Sequence, residues 1–355
     1  MLRVARVRSQ QEFDALEPAW ADLLASSAIP SVFLSWSWVK CWLDEYGSQN
    51  ETFVLTAHSS DGELCGIAPL AVSRDNSWHR LRRMTIIGQQ PTYGEYLDVI
   101  SRRGEEAAVA AAFVDQLCRQ VSGSWDVLVI QRMLAQSASL SHLKAAFSAQ
   151  GAICRVEATA PSPTTRLPTD FDELLASCSS NFRQQLRNAT NRIKRLGDVQ
   201  VLVAPKDVPV DRAFEEMLRL HHLRWDASGA FSTEDRVRFH RDLSHRLAKN
   251  DELFLALLTI DHQTVAARYD FVFADKMWCV QGGWDPQYQS VRPGTLMTGE
   301  AIRWAIEHGL TEYDFLAGVH DYKLRWANDQ RDLVAMTVAN PRTIRGKAYG
   351  RLRRM

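Results

Sequence analysis

Between Met277 and Lys323 the chain runs through an apolar strand (Met277 to Gly283), a turn over Trp284, Asp285, Pro286 and Gln287, and a helix entered at Arg292-Pro293-Gly294-Thr295 and reaching about His308. A second strand, Tyr313 to Leu316, follows and stops at Gly318. This order is the strongest constraint the sequence offers. It sets unsatisfied backbone N–H groups and the positive end of a helix dipole beside two strands, where a phosphate can be held without any obligatory side chain. Pro293 has no N–H to lose at a helix entry, and Gly294 lets a ligand approach the backbone. The same tetrapeptide also serves as a plain turn and cap. Its place between two strands, with His320, Asp321, Tyr322 and Lys323 close behind, favours a site for a nucleotide-bearing ligand.

A chain of 355 residues exceeds what one hydrophobic core usually serves, so two domains are expected. Lys plus Arg equals Asp plus Glu at 42 each, which leaves no basic excess for general nucleic-acid binding. Any electrostatic footprint is local. No apolar run is long enough to cross a bilayer, and the start of the chain has no signal-peptide core. The six cysteines show no metal-ligand or redox spacing, which reads as reduced thiols in a cytoplasmic protein.

Phe13 to Ala25 and the tryptophan-rich segment from Phe33 to Tyr46 read as helices, with the indoles as core. Phe53 to Ala57 and Leu64 to Val72 form a hairpin across Asp61-Gly62. Met84 to Ile87 and Tyr96 to Ile100 read as strands, Glu105 to Val121 as a helix and Trp125 to Ile130 as a strand. Thr159 to Thr164, with Pro161 and Pro163, is the compositional boundary. Beyond it come helical stretches from Phe171 to Leu196 and Arg212 to Trp225, a hairpin of Leu253 to Ile260 with Thr264 to Phe273, and then the opening stretch. Both halves repeat helices, hairpin, strand, helix, strand. The expected domains are 1-160 and 161-355.

The second half resembles the GNAT acyltransferase superfamily, and within it the cellulose-biosynthesis acetyltransferase-like branch related to the Fem peptidyltransferases. The resemblance is carried by His221, Arg224 and Trp225 on one helix, by Gly283-Trp284-Asp285-Pro286 with Tyr288, and by Pro293-Gly294. Tyr313-Asp314-Phe315 with Gly318, and Tyr322-Lys323 with Trp326, complete it. It implies an α/β (α+β) fold of two tandem GNAT-like domains, each a mixed, mainly antiparallel sheet flanked by helices, the first a degenerate copy. It also implies a sheet splayed between the Met277 and Tyr313 strands, where an acyl-CoA such as acetyl-CoA would lie. The pyrophosphate would meet backbone N–H groups at Gly294, Thr295 and Leu296, beside Arg292. The glycines of the usual phosphate motif are fewer here, which leaves room for a different donor.

Acyl transfer needs a base, donors for the oxyanion and an acid for the leaving thiolate. Strand N–H groups from Val280 to Gly282 suit the oxyanion. Asp314, a carboxylate in an apolar strand, is a candidate base or, equally, a structural acceptor of hydrogen bonds. Tyr322 can protonate the thiolate and Lys323 can hold a phosphate or carboxylate. His221, Arg224 and Trp225 can address the acceptor, an amine or hydroxyl, and the branch implies a sugar in exopolysaccharide assembly. No metal motif is present. Two other readings stay open: a Fem-like transferase using aminoacyl-tRNA, suggested by the basic helix with Arg183, Arg187, Arg192, Lys194 and Arg195, and a non-catalytic partner of the polysaccharide-synthesis machinery. The segment from Arg342 to Arg354 has no acidic residue and could meet a membrane surface, an anionic glycan or RNA.

Overall fold

The structure, a computed structural model, describes residues 2–74, 81–225 and 229–352, the Trp225 side chain excepted. The chain divides into a first unit, Met1–Ala160 with Asp332–Met355, and a second, Pro161–Arg331. The change of unit at Ala160 falls in the proline-rich stretch. The segment from Asp332 onward, grouped by sequence with the second half, lies in the first unit.

In chain order the strands of the first unit are β1 (Arg3–Arg6), β2 (Glu51–His58), β3 (Leu64–Arg74), β4 (Arg82–Ile86), β5 (Ile100–Ser101), β6 (Val127–Leu134) and β7 (Ile153–Ala158). The second unit supplies β8 (Ser162–Arg166), β9 (Val199–Ala204), β10 (Leu253–Ile260), β11 (Gln263–Phe273), β12 (Lys276–Trp284), β13 (Glu312–Asp314) and β14 (Asp329–Arg331). The chain then re-enters the first unit as β15 (Leu333–Ala339). The first sheet has the order β1-β2-β3-β4-β6-β15-β7, with β5 on β3, and the second β14-β8-β13-β12-β11-β10-β9. Both are mixed, mainly antiparallel sheets flanked by helices. In each, one interior joint is parallel: β4 with β6, and β12 with β13.

The tryptophan-rich helix, Trp36–Tyr46, is core as its spacing suggests, with Trp36, Trp38 and Trp42 all buried. A ring buried in this way is worth roughly 1.5–3 kcal/mol. In the second unit, helices Phe171–Ser177, Ser180–Ile193 and Pro293–Glu307 cover the sheet around Trp326, whose ring meets Phe182 edge-on at 4.8 Å.

Two expectations change. The strand expected over Tyr96 to Ile100 is only Ile100–Ser101, because Tyr96 sits at φ 52°, where no strand can run. The linker-like Ser162–Arg166 is an interior strand between β13 and β14. Its buried hydroxyls are paired: Ser162 donates to Asp314 Oδ1 (2.8 Å) and Thr165 to the Trp326 carbonyl (2.7 Å). A helix at Glu234–Lys249 had no counterpart in the reading of the chain.

Candidate functional site

The parallel joint of the second unit lasts three residue pairs, Lys276 with Glu312, Met277 with Tyr313 and Trp278 with Asp314. There β13 ends, while β12 continues to Trp284. The opening starts at a β-bulge: Phe271 faces Trp278 and Tyr269 faces Gln281, so Asp270 alone stands against Cys279 and Val280. The Asp270 carboxylate accepts the Val280 N–H at 3.1 Å. The Asp285 N–H reaches Val265 across β11, and ladder alternation then turns the N–H groups of Gly283 and Gln281 the same way. Of the nominated oxyanion donors, Val280 is thus held by Asp270 and Gln281 by β11. The Gly282 N–H faces the opened joint.

A charged knot lies under the bulge. Arg268 Nε donates to both Asp270 oxygens (2.9 and 2.8 Å), its Nη2 contacts Tyr313 Oη (2.8 Å) and Cys279 Sγ, and the Tyr313 hydroxyl donates to Asp270 Oδ2 (2.7 Å). Burial opposes the Arg268 cation, but Asp270 carries its pKa well above the usual range. Burial also lifts the Asp270 carboxyl, with Arg268 pulling it back, and lifts the Cys279 thiol. Sequence reasoning missed Arg268 and Asp270. Their signal was two opposite charges two residues apart in an otherwise apolar strand, hence on one face.

Tyr322, 42% exposed, stands on the short helix Asp321–Leu324 with its ring stacked on His320. Burial pushes the phenol up, and the cations of Arg268 and Arg224 pull part of the way back. It therefore keeps its proton at neutral pH and lies by the bulge. Arg224 has its guanidinium 5.2 Å above the Trp284 ring. Gly294 also lies against Trp284, where an added Cβ would sit 3.0 Å from Trp284 Cδ1. Trp284, quoted in the sequence pattern without a role, is thus the wall shared by Arg224 and the helix entry.

At that entry Arg292 is left-handed (φ 52°, ψ 53°) between the 3-10 turn Pro286–Val291 and the helix Pro293–Glu307. Its carbonyl accepts the Thr295 and Leu296 N–H groups at 3.0 and 3.2 Å. Pro293 has none, so Gly294 contributes the N–H most open to a phosphate. The Arg292 guanidinium donates to Gln185 on the basic helix at 2.5 Å, and Arg192 donates to the Ser290 carbonyl at 3.2 Å. The basic helix therefore flanks the helix-entry end of the opening.

The remaining nominated residues lie deeper. Asp314 is fully buried, accepts from Ser162 (2.8 Å) and its neighbour Leu316 N–H (2.8 Å), and pairs with Arg331 at 3.0 Å. Those contacts are the ones a structural role for Asp314 calls for. The Lys323 ammonium is buried and donates to the Leu316 and Ala317 carbonyls at 2.9 and 3.0 Å, fixing the turn before Gly318. His221 is 1% exposed; burial first, then His222 and Arg224, push its pKa down to about 4. It is held against β12 because Gly283 lets the helix Val210–Trp225 approach: a Cβ there would fall 2.6 Å from the His221 nitrogen. The Trp225 side chain lies outside the described residues. The structure brings Gly282, Gly294, Arg224 and Tyr322 around Trp284 and the bulge, and sets Asp314, Lys323 and His221 behind them.

Residues 180–324 match the family model described as an acetyltransferase (GNAT) domain. No curated protein sequence matches the chain. Among solved structures it is similar to FemX (TM-score 0.66, 13% identity, 99% of each chain covered). It is also similar to a tandem GNAT protein from the clavulanic acid biosynthesis pathway (TM-score 0.53, 11% identity, 97% of this chain and 100% of that one). L-PGS from Bacillus licheniformis aligns with a TM-score of 0.52 at 12% identity, covering 89% of this chain and 95% of that one. The chain has the GNAT fold in tandem, with Fem-like structural neighbours.

Proposed function

We propose that the protein is an acyltransferase that moves an acyl group from acyl-CoA to an amine or hydroxyl, with the second unit carrying the chemistry. The observation that carries this reading is the joint opened after Trp278 and Asp314, with a protonated phenol at the bulge and a helix entry beyond Trp284. The thioester carbonyl would meet the Gly282 N–H and the pyrophosphate the Gly294 N–H and the basic helix. Tyr322 would donate its proton to the leaving thiolate and be reprotonated, through solvent, by the proton that the attacking amine or hydroxyl loses, and Arg224 would hold the acceptor. Asp314 and Lys323 serve as positioning residues in this scheme. The sugar acceptor and the exopolysaccharide or cell-envelope setting follow the resemblance.

Calorimetric titration with acetyl-CoA, a longer acyl-CoA and desulfo-CoA, with ATP as control, tests the donor. Gly294→Val, checked for folding by circular dichroism, is expected to abolish binding. Tyr322→Phe is expected to bind the donor normally while kcat falls by about 100-fold or more, as for loss of a general acid. Normal turnover in Tyr322→Phe would overturn its role.

A second reading has its own support. Arg187 and Arg192 on the basic helix, and Arg195 just past its end, have no carboxylate in ion-pair range among the described residues, and the helix flanks the helix entry. A Fem-like aminoacyl-tRNA donor would use that track. Activity lost on RNase treatment, with no heat of binding for acyl-CoA, would favour it.

A further inference from the structure

The helix Ile344–Leu352 packs on the first unit through one side only. Gly346 and Gly350 form that side. A Cβ at Gly346 would fall 2.4 Å from the Asn340 carbonyl and 2.8 Å from that of Asp126, and one at Gly350 would fall 2.8 Å from Ile153 Cδ1. Asn340 fixes the approach by donating to the Trp125 and Ser122 carbonyls at 2.7 and 2.9 Å. Tyr349 packs on Val127 and Val129. The glycines exist for contact, so the orientation of the helix is set.

The opposite side is therefore also set, and it is apolar. Ile344, Ala348 and Leu352 recur every four residues and form one stripe along the helix. Ile344 is 87% exposed and Leu352 69%, and Ala348 is exposed as well. Lys347 and Arg351 flank the stripe on one edge and Arg345 on the other, all exposed. Arg342 precedes the helix and Arg353 and Arg354 follow it in sequence, with no Asp or Glu from Arg342 to Met355. In a chain whose total charge is balanced, this is a local excess beside an apolar ridge.

We propose that this helix is a surface anchor for an anionic lipid bilayer, lying in the interface with Ile344, Ala348 and Leu352 turned into the acyl boundary. The basic residues on both edges would meet the headgroups, their stems lying along the apolar surface. Charge complementarity selects an anionic partner. The apolar stripe selects a bilayer over a polyanion such as RNA, which would engage the charges and leave Ile344 and Leu352 in water. The inference is independent of the transfer chemistry, since it rests on the first unit alone.

The test is co-sedimentation of the full chain with vesicles of phosphatidylcholine alone or mixed with phosphatidylglycerol, at low and high salt, beside a filter-binding assay with a mixed-sequence RNA. Binding is expected only to phosphatidylglycerol vesicles and weakens with salt. Lys347→Glu with Arg351→Glu should lower the partition coefficient by at least about 5-fold per charge. Ile344→Ser with Leu352→Ser keeps every charge, and both sites are exposed, so the melting temperature should hold while partition falls by roughly 10-fold. Unchanged partition in that variant, absence of binding to phosphatidylglycerol vesicles, or binding of the RNA alone would each overturn the proposal.

Discussion

The two parallel joints are built alike and finished differently. Each lasts three residue pairs in the interior of an otherwise antiparallel sheet, Arg83 to Thr85 against Val127 to Val129 in one and Lys276 to Trp278 against Glu312 to Asp314 in the other. Beyond the first, the chain fills its own gap. Gln89, 4% exposed, accepts the Gln131 N–H at 2.9 Å, and the turn behind it is pinned by Trp42 donating to the Gln90 carbonyl and by Gly88 pressed on Trp38. Beyond the second, the strand N–H next to the bulge is taken by Asp270, and the Gly282 N–H stays directed at the gap. A splayed pair of strands is thus not itself a binding site. What decides is whether the backbone groups it frees are satisfied from within. We read the first unit as the degenerate copy on this ground.

The largest expected effect comes from the knot beneath the second opening. Arg268→Ala leaves the Asp270 carboxylate buried without its cation and should cost about 3–5 kcal/mol, read by urea unfolding. Arg268→Met with Asp270→Leu removes both charges and should recover most of that loss while still impairing transfer, because the Val280 N–H is released into the gap. Full activity in the double variant would make the knot a matter of stability alone.

Acid should shift the stabilities of the two units in opposite directions. In the first, burial raises the Asp98 carboxyl to about 7 against the hydrogen bonds of Ser137 and the Val99 N–H. Between its ordinary value and about 7 the folded state then holds a proton that the unfolded state does not, so stability rises as pH falls through 7. In the second, burial pushes His221 down to about 4 and His240 to about 3. Below the usual histidine value the unfolded chain binds protons that the folded one refuses, so stability falls as pH drops from about 6.5. Each group changes the balance by roughly 1.4 kcal/mol per pH unit in its window. Burial also lifts Asp270, Glu252 and Glu300, which works against the histidines, so substitutions isolate the terms. Hydrogen exchange at pH 7.0 and 5.5 should show protection gained in the first unit and lost in the second. Asp98→Asn should flatten the first response and His221→Asn reduce the second.

Element order was legible because it is written in periodicity and turn residues. The hairpin at Asp61-Gly62, the tryptophan helix and the Pro293 helix all stand where those signals placed them, and the outline of the opening followed. Illegible were features set by partners distant in sequence. Ser162–Arg166 is polar and proline-bearing yet lies inside a sheet, since its hydroxyls meet Asp314 and Trp326 more than 150 residues later. The strand from Leu333 reads like any other apolar strand, and nothing local says that it pairs with β6 and β7. Within the site, the nomination of Gly294, Arg224 and Tyr322 was legible from the helix-entry pattern and the family resemblance. The depth of Lys323 and Asp314 was not, because burial is a property of what packs around a side chain.

The smallest effect is also the sharpest comparison. Gln89→Ala removes the acceptor of the part-buried Gln131 N–H, which should cost about 0.5–1.5 kcal/mol in the first unit. If internal satisfaction is what closes the first joint, the same change should open it without touching the second. Exchange at Gln131 and its β6 neighbours should quicken, while donor binding and turnover stay as in the parent protein. A loss of donor affinity in a folded Gln89→Ala variant would instead place a ligand at the first joint, and the difference between the two halves would then be one of what they bind rather than whether they bind.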